Sequence, residues 1–163
     1  MNEFLHNEEL GRTKFQDFFK AKPKWTVTFT TDPYNHKDAW IKSAERTMAA
    51  EIKNRAPQYE NYDTYIMEKI KYDELERLYK EHTISEGMMA YFFGDTLYIF
   101  QLTKINKLIK NNRIEIKYAW LPDSTVAFKR KIQKPCYYLP KAYSYIYKKE
   151  NNKWKLISKP SQI

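Results

Sequence analysis

The order of apolar and polar positions along the chain predicts a helix, three strands, a second helix and then more strand. Between residues 2 and 21, Phe4, Phe15, Phe18 and Phe19 fall on one helical face with no proline before Pro23, so an amphipathic helix is expected. Glu8 and Gly11 share that face, which puts a carboxylate where an apolar side chain is usual. The segment KWTVTFTT alternates and is rich in β-branched and aromatic residues, predicting a strand over about 24–30 that the turn formers of DPYN stop. HKDAWIKS and TMAAEIKN predict a second and a third strand, close enough in sequence for an antiparallel meander. After a loop over RAPQYENYD, Tyr72, Leu75, Leu78 and Tyr79 take helical spacing. MMAYFF and TLYIFQL then flank Gly94-Asp95, a two-residue link suited to a β-hairpin. Beyond Gln101, TKINKLIKNN predicts a short helix, RIEIKYAW and TVAFKRKIQ read as strands, and Pro135, Pro140 and a series of tyrosines mark an irregular tail.

This order belongs to an α/β chain of the α+β kind, with a core over about 3–102 and a β-rich extension over about 103–163. At 163 residues, with no repeat and no Gly- or Ser-rich linker, one domain is expected. Charge adds a partner. Lys and Arg number 29 against 20 Asp and Glu, a formal net charge of +9. The excess gathers downstream, where Lys104, Lys107, Lys110, Arg113, Lys117, Lys129, Arg130, Lys131 and Lys134 meet only Glu115 and Asp123. Clustered cations among aromatic rings suit a polyanion, and nucleic acid is the leading candidate.

Other classes are disfavoured. The lone Cys136 forms no intramolecular disulfide and supplies no cysteine-based zinc set. His6 and His82 are isolated. With glycine only at 11, 87 and 94 there is no phosphate-cradling glycine-rich loop. No apolar run reaches membrane-spanning length and no signal peptide opens the chain, so a soluble, intracellular, cytoplasmic protein with no membrane partner is expected.

Candidate chemistry centres on AAEIKNR, residues 49–55. A Glu-x-Lys triplet means little by frequency, since 13 Glu and 23 Lys in this chain supply about two by chance, and the chain holds two. Position distinguishes them. On a strand, residues i and i+2 share a face roughly 7 Å apart, so Glu51 and Lys53 project together while Ile52 points the other way. Asp38, just before the apolar AWI, lies on the preceding strand and can reach Glu51 across an antiparallel pair. Two carboxylates sharing a site repel unless a cation lies between them, and a hard oxygen set of this size suits Mg²⁺. Lys53 then orients or deprotonates the nucleophile and stabilises the transition state. Glu115 and Lys117 follow no strand with a placed carboxylate and read as a solvated strand edge.

A helix carrying Glu8, three strands with Asp38 on the second and EIK on the third, then a helix and a strand, resembles the core of the restriction-endonuclease-like, or PD-(D/E)XK, nuclease superfamily over about residues 3–102. Lys37 stands where the motif's name has proline. Glu9 competes with Glu8, and Asp32 with Asp38. The resemblance implies a mixed sheet flanked by helices and a Mg²⁺-dependent, or Mn²⁺-dependent, nuclease acting on DNA, with RNA the other substrate. It implies that Asp38 and Glu51 bind the metal, that Lys53 is catalytic and that Glu8 completes the site. Arg55, on the face of Lys53, and Lys71, ahead of the second helix, are candidate nucleic-acid contacts. The alternatives are an inactive nucleic-acid-binding module of the same fold and a basic protein-interaction factor; a homodimer is compatible with either.

Tyr137, Tyr138, Tyr143, Tyr145 and Tyr147, interleaved with lysines, fit base stacking or amphipathic packing.

Overall fold

The computed structural model describes residues 3–32, 35–123 and 130–163. Along the chain lie α1 (Glu3–Lys20), β1 (Thr26–Phe29), β2 (Ala39–Lys42), β3 (Thr47–Arg55), β4 (Thr64–Glu68), α2 (Lys69–Lys80), β5 (Glu86–Phe93), β6 (Thr96–Gln101), α3 (Leu102–Lys110), β7 (Glu115–Pro122), β8 (Lys131–Pro140), β9 (Tyr145–Glu150) and β10 (Lys153–Ser158). They form a mixed α+β fold. A seven-stranded sheet has the order β1-β2-β3-β5-β6-β9-β10, and a three-stranded sheet the order β4-β8-β7.

The expected meander is present, with β1 antiparallel to β2 and β2 antiparallel to β3. β3 then runs parallel to β5, a direction that needs a long crossover, here supplied by β4 and α2. β5 is buried along its whole length, as a strand covered on both faces must be. Its alternate residues feed two cores. Met88, Ala90 and Phe92 join Phe15, Phe18 and Phe19 of α1. Met89, Tyr91 and Phe93 join Leu75 and Leu78 of α2, Leu102 and Ile105 of α3, and Tyr65 and Met67 of β4.

β3 follows the same alternation, which decides where its charges point. Met48, Ala50 and Ile52 belong to the α1 core and Ala49 to the other, so Glu51 and Lys53 continue the Ala49 face, toward α2. Helix α1 approaches β3 closely because Gly11 has no side chain. A Cβ there would stand 3.3 Å from both Ile52 Cγ2 and Asn54 Cβ.

Three features depart from expectation. β4 is a strand that the apolar pattern does not announce, although Tyr65 and Met67 are buried and their neighbours are not. The stretch read as an irregular tail is regular: β8 is a ten-residue strand, and β9 pairs with β6, so the extension completes the main sheet. Pro135 and Pro140 are tolerated because each borders a single partner strand. β8 pairs with β4 only from Cys136 to Pro140 and with β7 only from Lys131 to Tyr138, so neither proline interrupts two ladders at once. Asn151 and Asn152, with φ of 51° and 60°, close the β9–β10 hairpin in the left-handed conformation that asparagine tolerates. Of the strand expected over TVAFKRKIQ, residues 125–129, Lys129 among them, lie outside the described residues; so do Ser124, Met1 and Asn2, and Pro33 and Tyr34 of the expected turn. No described helix is long and apolar enough to cross a membrane.

Candidate active site

The β2–β3 register builds the site. Ala39 pairs with Ala50, and the Asp38 N–H donates to the Ala50 carbonyl at 2.8 Å. One step further, Asp38 stands level with Glu51 at the point where β2 begins. Its Oδ2 accepts a hydrogen bond from the Ile52 N–H at 2.7 Å. The backbone around Asp38 is tied down by Thr30, the residue after β1, whose N–H and Oγ1 donate to the Asp38 carbonyl at 2.9 and 3.2 Å. Arg12 of α1 in turn donates to the Thr30 carbonyl at 3.0 Å.

Glu51 is only 1% exposed. Its Oε1 lies 2.7 Å from Lys53 Nζ and 3.3 Å from Lys71 Nζ. Both ammonium groups therefore pair with Oε1, and Oε2 is left buried without a hydrogen-bond partner. A buried carboxylate left in that state is costly, and native structures seldom keep one without a purpose. Burial opposes the Glu51 charge, yet the fields of Lys53 and Lys71 outweigh it and hold the carboxyl below its usual range. Burial likewise works against the Lys53 ammonium, and Glu51 overcomes it, so Lys53 keeps its proton above the usual lysine range. Asp38 responds in the opposite sense. Burial and then the neighbouring Glu51 charge push it up to about 7, against an ordinary 3.8.

Asp38 and Glu51 therefore behave as a repelling carboxylate pair beside two lysines. The site fits a hard divalent cation. Glu51 offers an unpartnered Oε2, Asp38 adds a second carboxyl whose ionisation burial and the Glu51 charge oppose, and both donors are carboxylate oxygen. Among the described residues no group of three or more His, Cys, Asp or Glu converges. Two carboxylates with water and phosphate oxygen suit Mg²⁺ or Mn²⁺, and do not suit zinc.

The other expected residues separate. Lys71, placed on the third residue of α2, reaches Glu51 directly and also donates to the Asn35 carbonyl at 3.5 Å. Arg55 shares the strand face of Lys53 but is exposed, with its Nη1 on the Asn54 carbonyl. Glu8 is not brought to the pair. It is exposed and lies 3.3 Å from Arg12, on a helix packed against the face of β3 that bears Ile52 and Asn54, opposite Glu51 and Lys53. Asp32 is exposed in the connection after β1, while Asp38 takes the place opposite Glu51. Lys37, in the position of the motif's proline, is buried. Its Nζ lies 3.4 Å from Glu74 of α2 and 4.8 Å from the centre of the Trp40 ring. Asn35 accepts from both Lys37 nitrogens at 3.2 Å. Sequence reasoning missed this support of the 35–38 segment; a Lys37–Glu74 pair 37 residues apart leaves no local signal. Glu115 and Lys117 pair with each other on the edge strand β7, with side chains 70% and 58% exposed, the solvated edge that was expected.

No family model matches the chain, and no curated protein matches it in sequence. Among solved structures, D212, described as a nuclease from a fusselovirus, superposes with a TM-score of 0.49 at 16% identity, covering 88% of this chain and 87% of that one. A likeness at that level assigns neither a family nor an activity to this chain.

Proposed function

We propose that this protein is a Mg²⁺-dependent nuclease of the PD-(D/E)XK type that hydrolyses phosphodiester bonds in DNA. The observation that carries the reading is the buried Glu51, its Oε2 unpartnered, facing Asp38 and paired through Oε1 with the Lys53 and Lys71 ammonium groups. Asp38 and Glu51 would hold the ion. When bound, it supplies acidification of water and neutralisation of charge at the phosphate. Lys53 keeps its proton on Nζ because Glu51 holds it there, so its role is that of a hydrogen-bond donor and positive charge toward a phosphoryl oxygen, and not that of a base. Lys71 adds a second positive charge on the same side. Arg55, two residues beyond Lys53 on the same strand face, takes the phosphate chain where it leaves the site.

The test is incubation of the purified protein with linear, plasmid and branched DNA, and with RNA, in Mg²⁺, Mn²⁺ or EDTA. Glu51→Gln, Lys53→Ala and Asp38→Asn run alongside. Cleavage is expected only with a divalent ion, and each variant is expected to lose about 100-fold or more in rate. Equal cleavage by wild type and variants would refute the assignment, and binding without any cleavage would favour the inactive module.

A further inference from the structure

A face of the three-stranded sheet stands bare. Ile116, Tyr118 and Trp120 alternate along β7 with Lys117 and Ala119, so they share one side, and they are 52%, 69% and 64% exposed. Across β8 their partners are Tyr137, Pro135 and Gln133. Tyr137 packs on the Tyr72 ring of α2 with centres 4.9 Å apart. The face thus begins against α2 and runs outward into solvent. A row of one aliphatic and two aromatic side chains on an edge strand is an unusual thing to leave open without an occupant.

The charges around it select the occupant. In and beside β7 and β8, Lys117, Arg130 and Lys134 pair with Glu115, Asp123 and Glu68, while Arg113, Lys131 and Lys141 have no ion-pair partner among the described residues and leave the sheet a net positive charge. Lys131 lies across from Pro122, on the face of Trp120, and has no ion-pair partner among the described residues. A second copy of the chain would bring two such basic sheets together and be repelled. A polyanion whose own flat rings are available for stacking fits both features. A duplex hides its base faces in the stack except at the terminal pair, whereas a single strand presents each of them, and aromatic side chains at alternate strand positions receive them one by one.

The face is also joined to the candidate active site. Lys134 of β8 lies 3.2 Å from Glu68, the last residue of β4. The next residue opens α2, and Lys71 on its first turn reaches Glu51. We propose that Ile116, Tyr118 and Trp120 form a stacking platform for unpaired bases, so that the preferred substrate is nucleic acid carrying a single-stranded segment beside the site of cleavage. The proposal rests on the nuclease reading for its substrate, but its test does not require cleavage.

Fluorescently labelled duplexes, blunt or with a single-stranded tail of DNA or RNA, are titrated in EDTA with the wild-type chain, Tyr118→Ala/Trp120→Ala and Tyr118→Phe/Trp120→Phe. Wild type is expected to bind a tailed duplex about tenfold or more tighter than a blunt one. The double alanine variant is expected to lose that gain while keeping its blunt-duplex affinity, and the double phenylalanine variant to retain most of it. Both rings are exposed, so unchanged circular dichroism and melting in the variants are expected. Equal affinity of wild type for blunt and tailed duplexes, or an alanine variant that keeps the tail preference, overturns the platform. So does sedimentation showing a wild-type dimer that the alanine variant lacks, because a second copy then covers the face. Failure of cleavage alone, with the tail preference intact, would count against the nuclease reading and not against the platform.

Discussion

Asp38→Asn should stabilise the metal-free protein, and only above acidic pH. In the folded chain Asp38 holds its proton up to about 7, where its ordinary value is 3.8. Below about pH 4 the carboxyl is protonated in both folded and unfolded chains and contributes no difference. Between about 4 and 7 the unfolded chain ionises while the folded one does not, so the folded state binds more protons and stability falls as pH rises. Above 7 both are ionised and the loss is complete. At about 1.4 kcal/mol per pH unit the gap corresponds to about 4 kcal/mol; water reaching the partly exposed carboxyl brings the expectation to about 2–4 kcal/mol. Asparagine is neutral at every pH and can keep its oxygen on the Ile52 N–H. The variant should therefore match wild type near pH 4 and exceed it by about 2–4 kcal/mol at pH 8, some 5–15 °C in melting temperature for a chain of this size. Urea unfolding followed by tryptophan fluorescence in EDTA, from pH 4 to 8.5, measures it. A stability gap that does not change with pH, or a variant weaker than wild type at pH 8, would show that Asp38 is ionised without penalty and that the repelling pair is misread.

Further expectations concern the metal, the control triplet and the core. At pH 8, millimolar Mg²⁺ or Mn²⁺ should raise the melting temperature of wild type but not of Asp38→Asn or Glu51→Gln, by an amount that grows with the logarithm of ion concentration; equal shifts in all three would place binding elsewhere. Glu115→Ala/Lys117→Ala removes an exposed pair and should change stability by less than about 0.5 kcal/mol and leave cleavage untouched. Loss of activity in that variant would show that the triplets had been assigned the wrong way round. Phe15→Ala, at a fully buried ring of the α1 core, should cost about 3–5 kcal/mol by denaturant unfolding, and a loss under 1 kcal/mol would mean that α1 does not pack as described. Gly11→Val should also destabilise, since the added side chain meets Ile52 and Asn54 within 3.3 Å of its first carbon.

Local pattern carried the parts of the fold whose neighbours are close in sequence. The β1–β2–β3 meander, the Gly94-Asp95 hairpin and helix α2 all rest on periodicity within a dozen residues, and all are present. The tyrosine-rich tail was misjudged because prolines usually argue against an inner strand. Only the unequal lengths of β4 and β7 along β8 explain why Pro135 and Pro140 are harmless, and that is tertiary information. The Asn-Asn pair at 151–152 was a legible hairpin signal that the tail reading passed over. Tyrosines in that tail turned out to pack, Tyr137 on Tyr72 and Tyr147 on Phe18, while the bare rings are Tyr118 and Trp120 on the preceding strand. Helix α1 misled in another way. Phe4 and Glu8 do share a stripe with Phe15, but the first turns carry Phe4, Leu5 and Leu10 exposed, so helical phase predicted a common face without predicting how much of it the sheet covers.

The two Glu-x-Lys triplets show why a motif needs its surroundings. Both put a carboxylate and an ammonium on one strand face within ion-pair distance. At 115–117 water surrounds the pair, screens it and leaves nothing for a ligand to gain. At 51–53 burial removes water, Asp38 arrives from β2 with a second carboxyl, and Lys71 arrives from α2. The same two side chains then hold each other's charge, and the penalty falls on Asp38. Pairing with Lys53 and Lys71 satisfies Glu51 Oε1 and leaves Oε2 unpartnered, and burial and the Glu51 charge favour the protonated form of Asp38 up to about 7. On the proposed reading a divalent cation held there would displace that proton and take up the unpartnered Glu51 oxygen. Asp38→Asn should therefore gain folding stability in metal-free buffer and lose response to the ion, the two effects having one cause, the ionisation of Asp38 beside Glu51.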